Sequence, residues 1–381
     1  MSTKPNSVKA FADVKTLVLK IGTSLLTGEE GFDGSVLEEI VKEVARIKHE
    51  RGLNILIVSS GAIGCGMAML GLKERPSLLP MKQATAAVGQ ARLMHYYETL
   101  FQRLGQGLRT AQVLLSASDL DNRQTYLNVR NTVQALFELG TVVPIINEND
   151  SVAIEELRFG DNDTLSARIA VKIGADLLIL LSDVDGLHDK NPFRHDDAKL
   201  IPRVEGVTEA IEALAEDSTA ATTIGGMRTK LDAAKIACAS GIPMVIANGR
   251  RPHVVSGVLD GEGPSTTFGG TGVALPERKR WIAFGRAPRG KIVIDDGARR
   301  ALVEQGKSLL AAGITGMSGE FAMGDAVRIC DERGSEIASG LVNYSSDQVA
   351  RIKGCKSTQI EAILGRKDFD EVIHRDNLVI L

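Results

Sequence analysis

Val142-Val143-Pro144-Ile145-Ile146-Asn147-Glu148-Asn149-Asp150 is an apolar run that stops abruptly in amides and carboxylates. Phe159-Gly160-Asp161-Asn162-Asp163-Thr164-Leu165-Ser166 follows it closely. A continuous apolar run without alternation reads as a strand buried on both faces. The polar groups at its end then converge on one place. Carboxylates accept from an ammonium group, and amides take either polarity. The cluster therefore suits a small amino acid whose carboxylate is aimed at a nucleotide phosphate. Two other uses stay open. Asp163-Thr164 has the form of a helix start, so one acid could serve only as a cap. A metal could also take one or two of the carboxylates together with phosphate oxygens.

The same texture continues on both sides. Apolar strands are predicted over 14–21, 54–59, 110–115, 141–146, 176–181 and 243–247. Helices are predicted over 36–51, 83–104, 122–139, 164–174 and 229–240 from apolar residues at helical spacing. Buried strands alternating with helices imply an α/β fold with a parallel sheet covered on both faces. After about Gly261 the chain becomes rich in turns, and 286–290 reads as a linker. Beyond it, short strands at 292–294, 326–330, 336–342 and 378–380, with helices at 295–304 and 345–352, predict a small β-rich domain. Two domains are expected, 13–270 and 289–367.

The 381 residues carry a net charge of −3, which gives no general affinity for nucleic acid or anionic membranes. Cys65, Cys238, Cys330 and Cys355 lie far apart and form no CxxC pair. Neither a disulfide framework nor a zinc site is expected of them. Residues 1–12 read as a loose polar leader without an apolar signal core, and no run approaches a membrane span. A cytoplasmic location is the expectation.

Three glycine turns follow strands or precede helices. Lys20 precedes Gly22 at a strand end, where backbone amides can cradle phosphate and the lysine adds a point charge. This is not a Walker A loop, because the lysine precedes the glycine. Ser59-Ser60-Gly61-Ala62-Ile63-Gly64-Cys65-Gly66 fails the GxGxxG pattern at Met69, which disfavours a nicotinamide site. Ile224-Gly225-Gly226-Met227-Arg228-Thr229-Lys230 places a lysine in the first turn of a helix, against the helix dipole. Ser182-Asp183-Val184-Asp185-Gly186 lies beyond a strand's carboxyl end, where open α/β sheets bind ligands.

Together Leu19-Lys20-Ile21-Gly22-Thr23-Ser24, Ser59-Ser60-Gly61-Ala62, Ile146-Asn147-Glu148-Asn149-Asp150, Gly160-Asp161-Asn162-Asp163, Ser182-Asp183-Val184-Asp185-Gly186-Leu187 and Gly225-Gly226-Met227-Arg228-Thr229-Lys230 resemble the amino-acid kinase family. The closest likeness is to members that phosphorylate glutamate, and the tail resembles a PUA domain. The resemblance implies a three-layer αβα sandwich with a mostly parallel central sheet. It implies transfer of the ATP γ-phosphoryl group to the side-chain carboxylate of L-glutamate, the first step of proline synthesis. Magnesium would come with ATP, with no separate protein metal site. Lys20 and Lys230 would flank the migrating group, with Asp163 orienting them. Ser60, Asp150 and Asn162 would bind glutamate, with Asn147 and Asp161 nearby. Lys20, Ser182, Asp183 and the loop Ile224, Gly225, Gly226, Met227, Arg228, Thr229 and Lys230 would hold the nucleotide. Ile224 departs from the threonine expected there.

Feedback inhibition by proline and a homo-oligomer, dimer or tetramer, follow from the same analogy. Within the fold, the rival substrates are N-acetylglutamate, aspartate and carbamate. Outside it, the rival is RNA binding by the tail. Residues 289–381 hold 13 Lys and Arg against 14 Asp and Glu, so charge does not support that reading.

Overall fold

A computed structural model of the chain describes residues 11–28, 31–152, 162–216, 226–269 and 288–380. The chain divides into two compact units, Met1–Ala274 and Leu275–Leu381. The first unit carries strands β1 (Thr16–Ile21), β2 (Thr27–Gly28), β3 (Gly31–Phe32), β4 (Asn54–Ser59), β5 (Arg109–Leu115), β6 (Val142–Glu148), β7 (Leu177–Ser182), β8 (Arg203–Val204), β9 (Met244–Asn248) and β10 (Ser265–Phe268). Its described helices are α1 (Ser35–Arg51), α2 (Ala62–Leu70), α3 (Leu79–Leu104), α4 (Ala117–Asp121), α5 (Arg123–Glu138), α6 (Asn162–Ile173), α7 (Glu209–Glu216), α8 (Met227–Ala239) and α9 (Val254–Asp260).

Eight strands form one sheet in the order β5-β6-β4-β1-β7-β9-β10-β8, and β2 and β3 pair as a small antiparallel hairpin. From β5 to β9 every pairing is parallel, and β10 runs antiparallel to β9. Alternate side chains enter opposite layers, as strand geometry requires. Leu17, Leu19 and Ile21 join α1, α3 and α9 in one core. Val18, Leu56 and Val58 join α5, α6 and α8 in the other. Two cores on two faces bear out the covered parallel sheet that the strand texture predicted and the three-layer αβα sandwich that the family resemblance implied.

Element limits shift for local reasons. α3 starts at Leu79 rather than 83 because Pro80 suits a helix's first turn, where its missing N–H costs nothing. Asn122 caps α5 by accepting from Thr125 N. α7 and α9 span only about two turns each, too few for apolar periodicity to mark them.

The second unit has a five-stranded sheet, β12-β11-β13-β14-β15. Its strands are β11 (Gly290–Ile294), β12 (Ile314–Gly319), β13 (Ala326–Asp331), β14 (Glu336–Leu341) and β15 (Leu378–Ile380). Helices α10 (Asp296–Val303), α11 (Ser346–Ile352) and α12 (Ile360–Leu364) accompany it. Asp295 caps α10, and Ser345 with Gln348 forms a capping box on α11. A separate core includes Ile292, Ile294, Leu302, Ile329, Val349 and Leu378. β12 escaped the sequence reading because Gly316, Ser318 and Gly319 dilute its strand character. Among the described residues no helix is long and apolar enough to cross a membrane. The four cysteines are free, and burial pushes the Cys65 thiol up to about 12 and Cys238 to about 11.

Candidate active site

β1 lies in the middle of the sheet, and the strand order reverses around it: β4 and β6 lie to one side, β7 and β9 to the other. Ile21 is level with Ser59 on β4 and with Leu181 on β7, and Ser182 with Asn248 on β9. The turns after β1, β4 and β7 therefore leave the sheet at one edge, outside the carboxyl ends of the strands. That is the ligand crevice of an open α/β sheet. Gly22 donates its N–H to Leu181 O at 3.1 Å, and a Cβ there would stand 3.0 Å from the same oxygen. The turn after β1 is thus pressed against β7.

Lys20 shares the parity of Val18, so its side chain leaves β1 on the side of α6 and α8. There it meets Asp163 in the first turn of α6, which is fully buried. Lys20 Nζ lies 2.5 Å from Asp163 Oδ1, and Lys230 Nζ lies 3.3 Å from Oδ2. Thr229 Oγ1 stands 2.9 Å from both Asp163 Oδ2 and Gly226 O. Both lysine side chains are buried. Lys230 sits near the positive end of the α8 dipole, and the Asp163 carboxylate offsets that placement. Asp163 is inside the helix rather than ahead of it, so its carboxylate serves the lysines and not a cap.

The amides assemble separately. Asn162 Nδ2 lies 2.9 Å from Ser60 Oγ, 3.0 Å from Asn147 Oδ1 and 3.1 Å from Ser59 O. Asn147 Oδ1 also accepts from Glu148 N at 2.9 Å, and Asn147 Nδ2 donates to Gln90 Oε1 at 2.8 Å. Ser59 Oγ accepts from Tyr97 O–H at 2.8 Å, and burial raises the Tyr97 phenol well above its usual range. Gln90 and Tyr97 come from α3, and two glycines bring that helix in. A Cβ on Gly66 would stand 1.9 Å from Thr85 O, and one on Gly89 would stand 1.8 Å from Ala62 O. Backbone touches backbone there, so α2 and α3 pack closer than side chains permit. Gly61, at φ 105°, supplies the turn that opens α2.

The remaining predicted residues spread around this centre. Asp150 lies partly exposed just past β6. Ser182 is buried and its hydroxyl lies 3.0 Å from Asp183 Oδ1, while Asp183 is exposed. Gly226 caps α8, and Met227 is half-buried at its start. Arg228 is exposed and lies 3.9 Å from Glu212 and 3.8 Å from Asp232. Asp161, Ile224 and Gly225 lie outside the described residues. Among the described residues no group of three His, Cys, Asp or Glu gathers at metal-binding distance.

The end of β9 adds residues that sequence reading passed over. Gly249 N–H donates to Ser182 O at 2.9 Å. The Arg250 guanidinium donates to Ser24 O at 2.8 Å, bracing the turn after β1. Arg251 holds Asp185 through two bonds of 2.7 Å, and this guanidinium keeps the Asp185 carboxyl below its usual range. No local motif marks these arginines. They matter because β9 ends beside β7.

Two domain families match the chain: the Amino acid kinase family over residues 15–248 and the PUA domain over 290–364. The glutamate 5-kinase of Caldanaerobacter subterraneus subsp. tengcongensis is 47% identical over 366 residues, covering 96% of this chain and 97% of that protein. That of Moorella thermoacetica is 48% identical over 373 residues, with 98% of each chain covered. A Synechococcus glutamate 5-kinase is 48% identical over 375 residues, covering 98% of this chain and all of that protein. Likeness over nearly the whole length, across both domains, places this chain in the amino acid kinase family, among the glutamate 5-kinases.

Proposed function

We propose that the chain transfers the γ-phosphoryl group of ATP to the side-chain carboxylate of L-glutamate, giving L-glutamyl 5-phosphate. The observation that carries this reading is two buried lysines held on one carboxylate, beside an amide cluster, at the carboxyl ends of the central strands. A glutamate carboxylate is ionised at neutral pH, so it attacks without a general base. The obstacle is repulsion between anions. Position and positive charge therefore carry the reaction.

In this reading Lys20 and Lys230 flank the phosphoryl group as its bond to the β-phosphate breaks and a bond to the carboxylate oxygen forms. Asp163 keeps both ammonium groups aimed at one point. Ser60, Asn147, Asp150, Asp161 and Asn162 hold glutamate. Ser182, Asp183 and 224–230, with Lys20, hold the nucleotide. Asp163 is already committed to Lys20 and Lys230, so magnesium would come with ATP and would supply positive charge against the phosphates. Two domains, 13–270 and 289–367, a cytoplasmic location, inhibition by proline and a homo-oligomer, dimer or tetramer, complete the proposal. The near-neutral tail is assigned to assembly or regulation in preference to RNA.

The test is ADP release from ATP and magnesium with L-glutamate, L-aspartate, N-acetyl-L-glutamate or no acceptor, with hydroxylamine to trap acyl phosphate. Turnover and hydroxamate with glutamate alone are expected. Preference for another acceptor would overturn the substrate, and silence with all of them would overturn the chemistry.

A further inference from the structure

Asn162 Oδ1 is buried and has no hydrogen-bond partner among the described residues. A buried acceptor left unpaired costs free energy, and such atoms are rare in folded chains. The other end of the same amide explains why it cannot turn over. Asn162 Nδ2 faces Ser59 O and Asn147 Oδ1, both of them acceptors. A flipped amide would set oxygen against oxygen. The polarity of Asn147 is fixed in turn. Its oxygen faces the Glu148 N–H, and its nitrogen faces Gln90 Oε1. Gln90 thus stands at the head of a line of three amides that ends in a buried acceptor with its hydrogen-bonding capacity unused.

We infer that Gln90 is a positioning residue for glutamate: through Asn147 it fixes Asn162 with its nitrogen on Asn147 and its oxygen left to accept from the substrate's ammonium group. The inference rests on the proposed glutamate reading and adds a residue from outside the predicted set. Gln90 need not touch the substrate. It reaches Asn147 because Gly89 and Gly66 let α3 lie against α2. Any substitution that keeps an acceptor at this place preserves the line. One that removes it strands a buried N–H of Asn147, frees that amide to swing and releases Asn162 to flip.

The experiment compares wild type, Gln90→Leu and Gln90→Glu in the full chain, reading KM for glutamate, KM for ATP, kcat and the melting temperature. A charge-assisted bond to the ammonium is at stake, so Gln90→Leu is expected to raise KM for glutamate about tenfold or more. KM for ATP and kcat should stay near wild type. Gln90→Glu, which keeps the acceptor, should return KM for glutamate most of the way. An unchanged KM for glutamate in Gln90→Leu would overturn the inference. So would a Gln90→Glu that melts like wild type yet is as impaired as Gln90→Leu. Equal loss for glutamate and ATP would reduce Gln90 to a packing residue and overturn it too. Wild type that turns over another acceptor and not glutamate would overturn the proposed function itself, an outcome distinct from all of these.

Discussion

Asn162 and Asp163 are neighbours in the first turn of α6, yet they serve different halves of the site. About 100° separates successive residues around a helix, so Asp163 faces Lys20 and Lys230 while Asn162 faces Ser60 and Asn147. One half is ionic and ties β1 to α6 and α8. The other is neutral and ties β4, β6 and α3 to α6. The contrast teaches a division of labour. In the proposed reaction the buried charges meet the migrating phosphoryl group, whose charge must be met in the transition state. Neutral amides have fixed polarity and direction and suit recognition of a substrate's shape.

The sharpest way to break this contrast is to neutralise Asp163. Asp163→Asn leaves two buried ammonium groups without their shared carboxylate. Removing one partner from such a pair costs about 3–5 kcal/mol, so a large fall in melting temperature is expected. A variant that melts like wild type would show that the carboxylate is not what holds the lysines. Next in size is chemistry. Lys20→Ala or Lys230→Ala should lower kcat about a hundredfold or more, with KM for glutamate little changed. Turnover at the wild-type rate in either would remove that lysine from the ionic half.

Smaller effects sharpen the neutral half. Tyr97→Phe deletes the donor to Ser59 Oγ and should cost about 1 kcal/mol of stability in denaturant titration. An increase in stability would mean that this hydroxyl is better absent than paired. The smallest effect is at the rim. Arg251 is partly exposed, so Arg251→Ala should cost about 0.2–1 kcal/mol. Arg251 lowers the folded pKa of Asp185, so its contribution is present above the ordinary carboxyl value and fades as pH falls through the folded value. The gap in melting temperature between wild type and variant should close in acid. A gap that persists there would point to lost packing by the arginine's stem.

Lys20, Asp163 and Lys230, which the fold brings together, were legible as candidates because each sits in a local pattern: a strand end before glycine, an acid–amide cluster, a glycine loop before a helix. Asn147, Asn162 and Ser60 were legible for the same reason. Gln90 and Tyr97 were not, because each looks like an ordinary polar or aromatic residue of an amphipathic helix. Arg250 and Arg251 were not, because they follow a strand as any solvated pair might. The second unit was mostly legible, and β12 was missed where glycine and serine weaken the strand signal.

The sequence alone points to a mostly parallel sheet between helices in the first unit, since uninterrupted apolar strands call for cover on both faces. Its motifs also name the chemical groups at the strand ends. Local spacing reaches no further than one element and its turn. Which helix stands over which strand end is decided by packing between residues distant in the chain. Gly66 meets Thr85, and Gly89 meets Ala62; those contacts deliver Gln90 to Asn147 and Tyr97 to Ser59. Strand parity sends Lys20 to α6 and α8, and only the folded sheet puts Asp163 and Lys230 there to meet it.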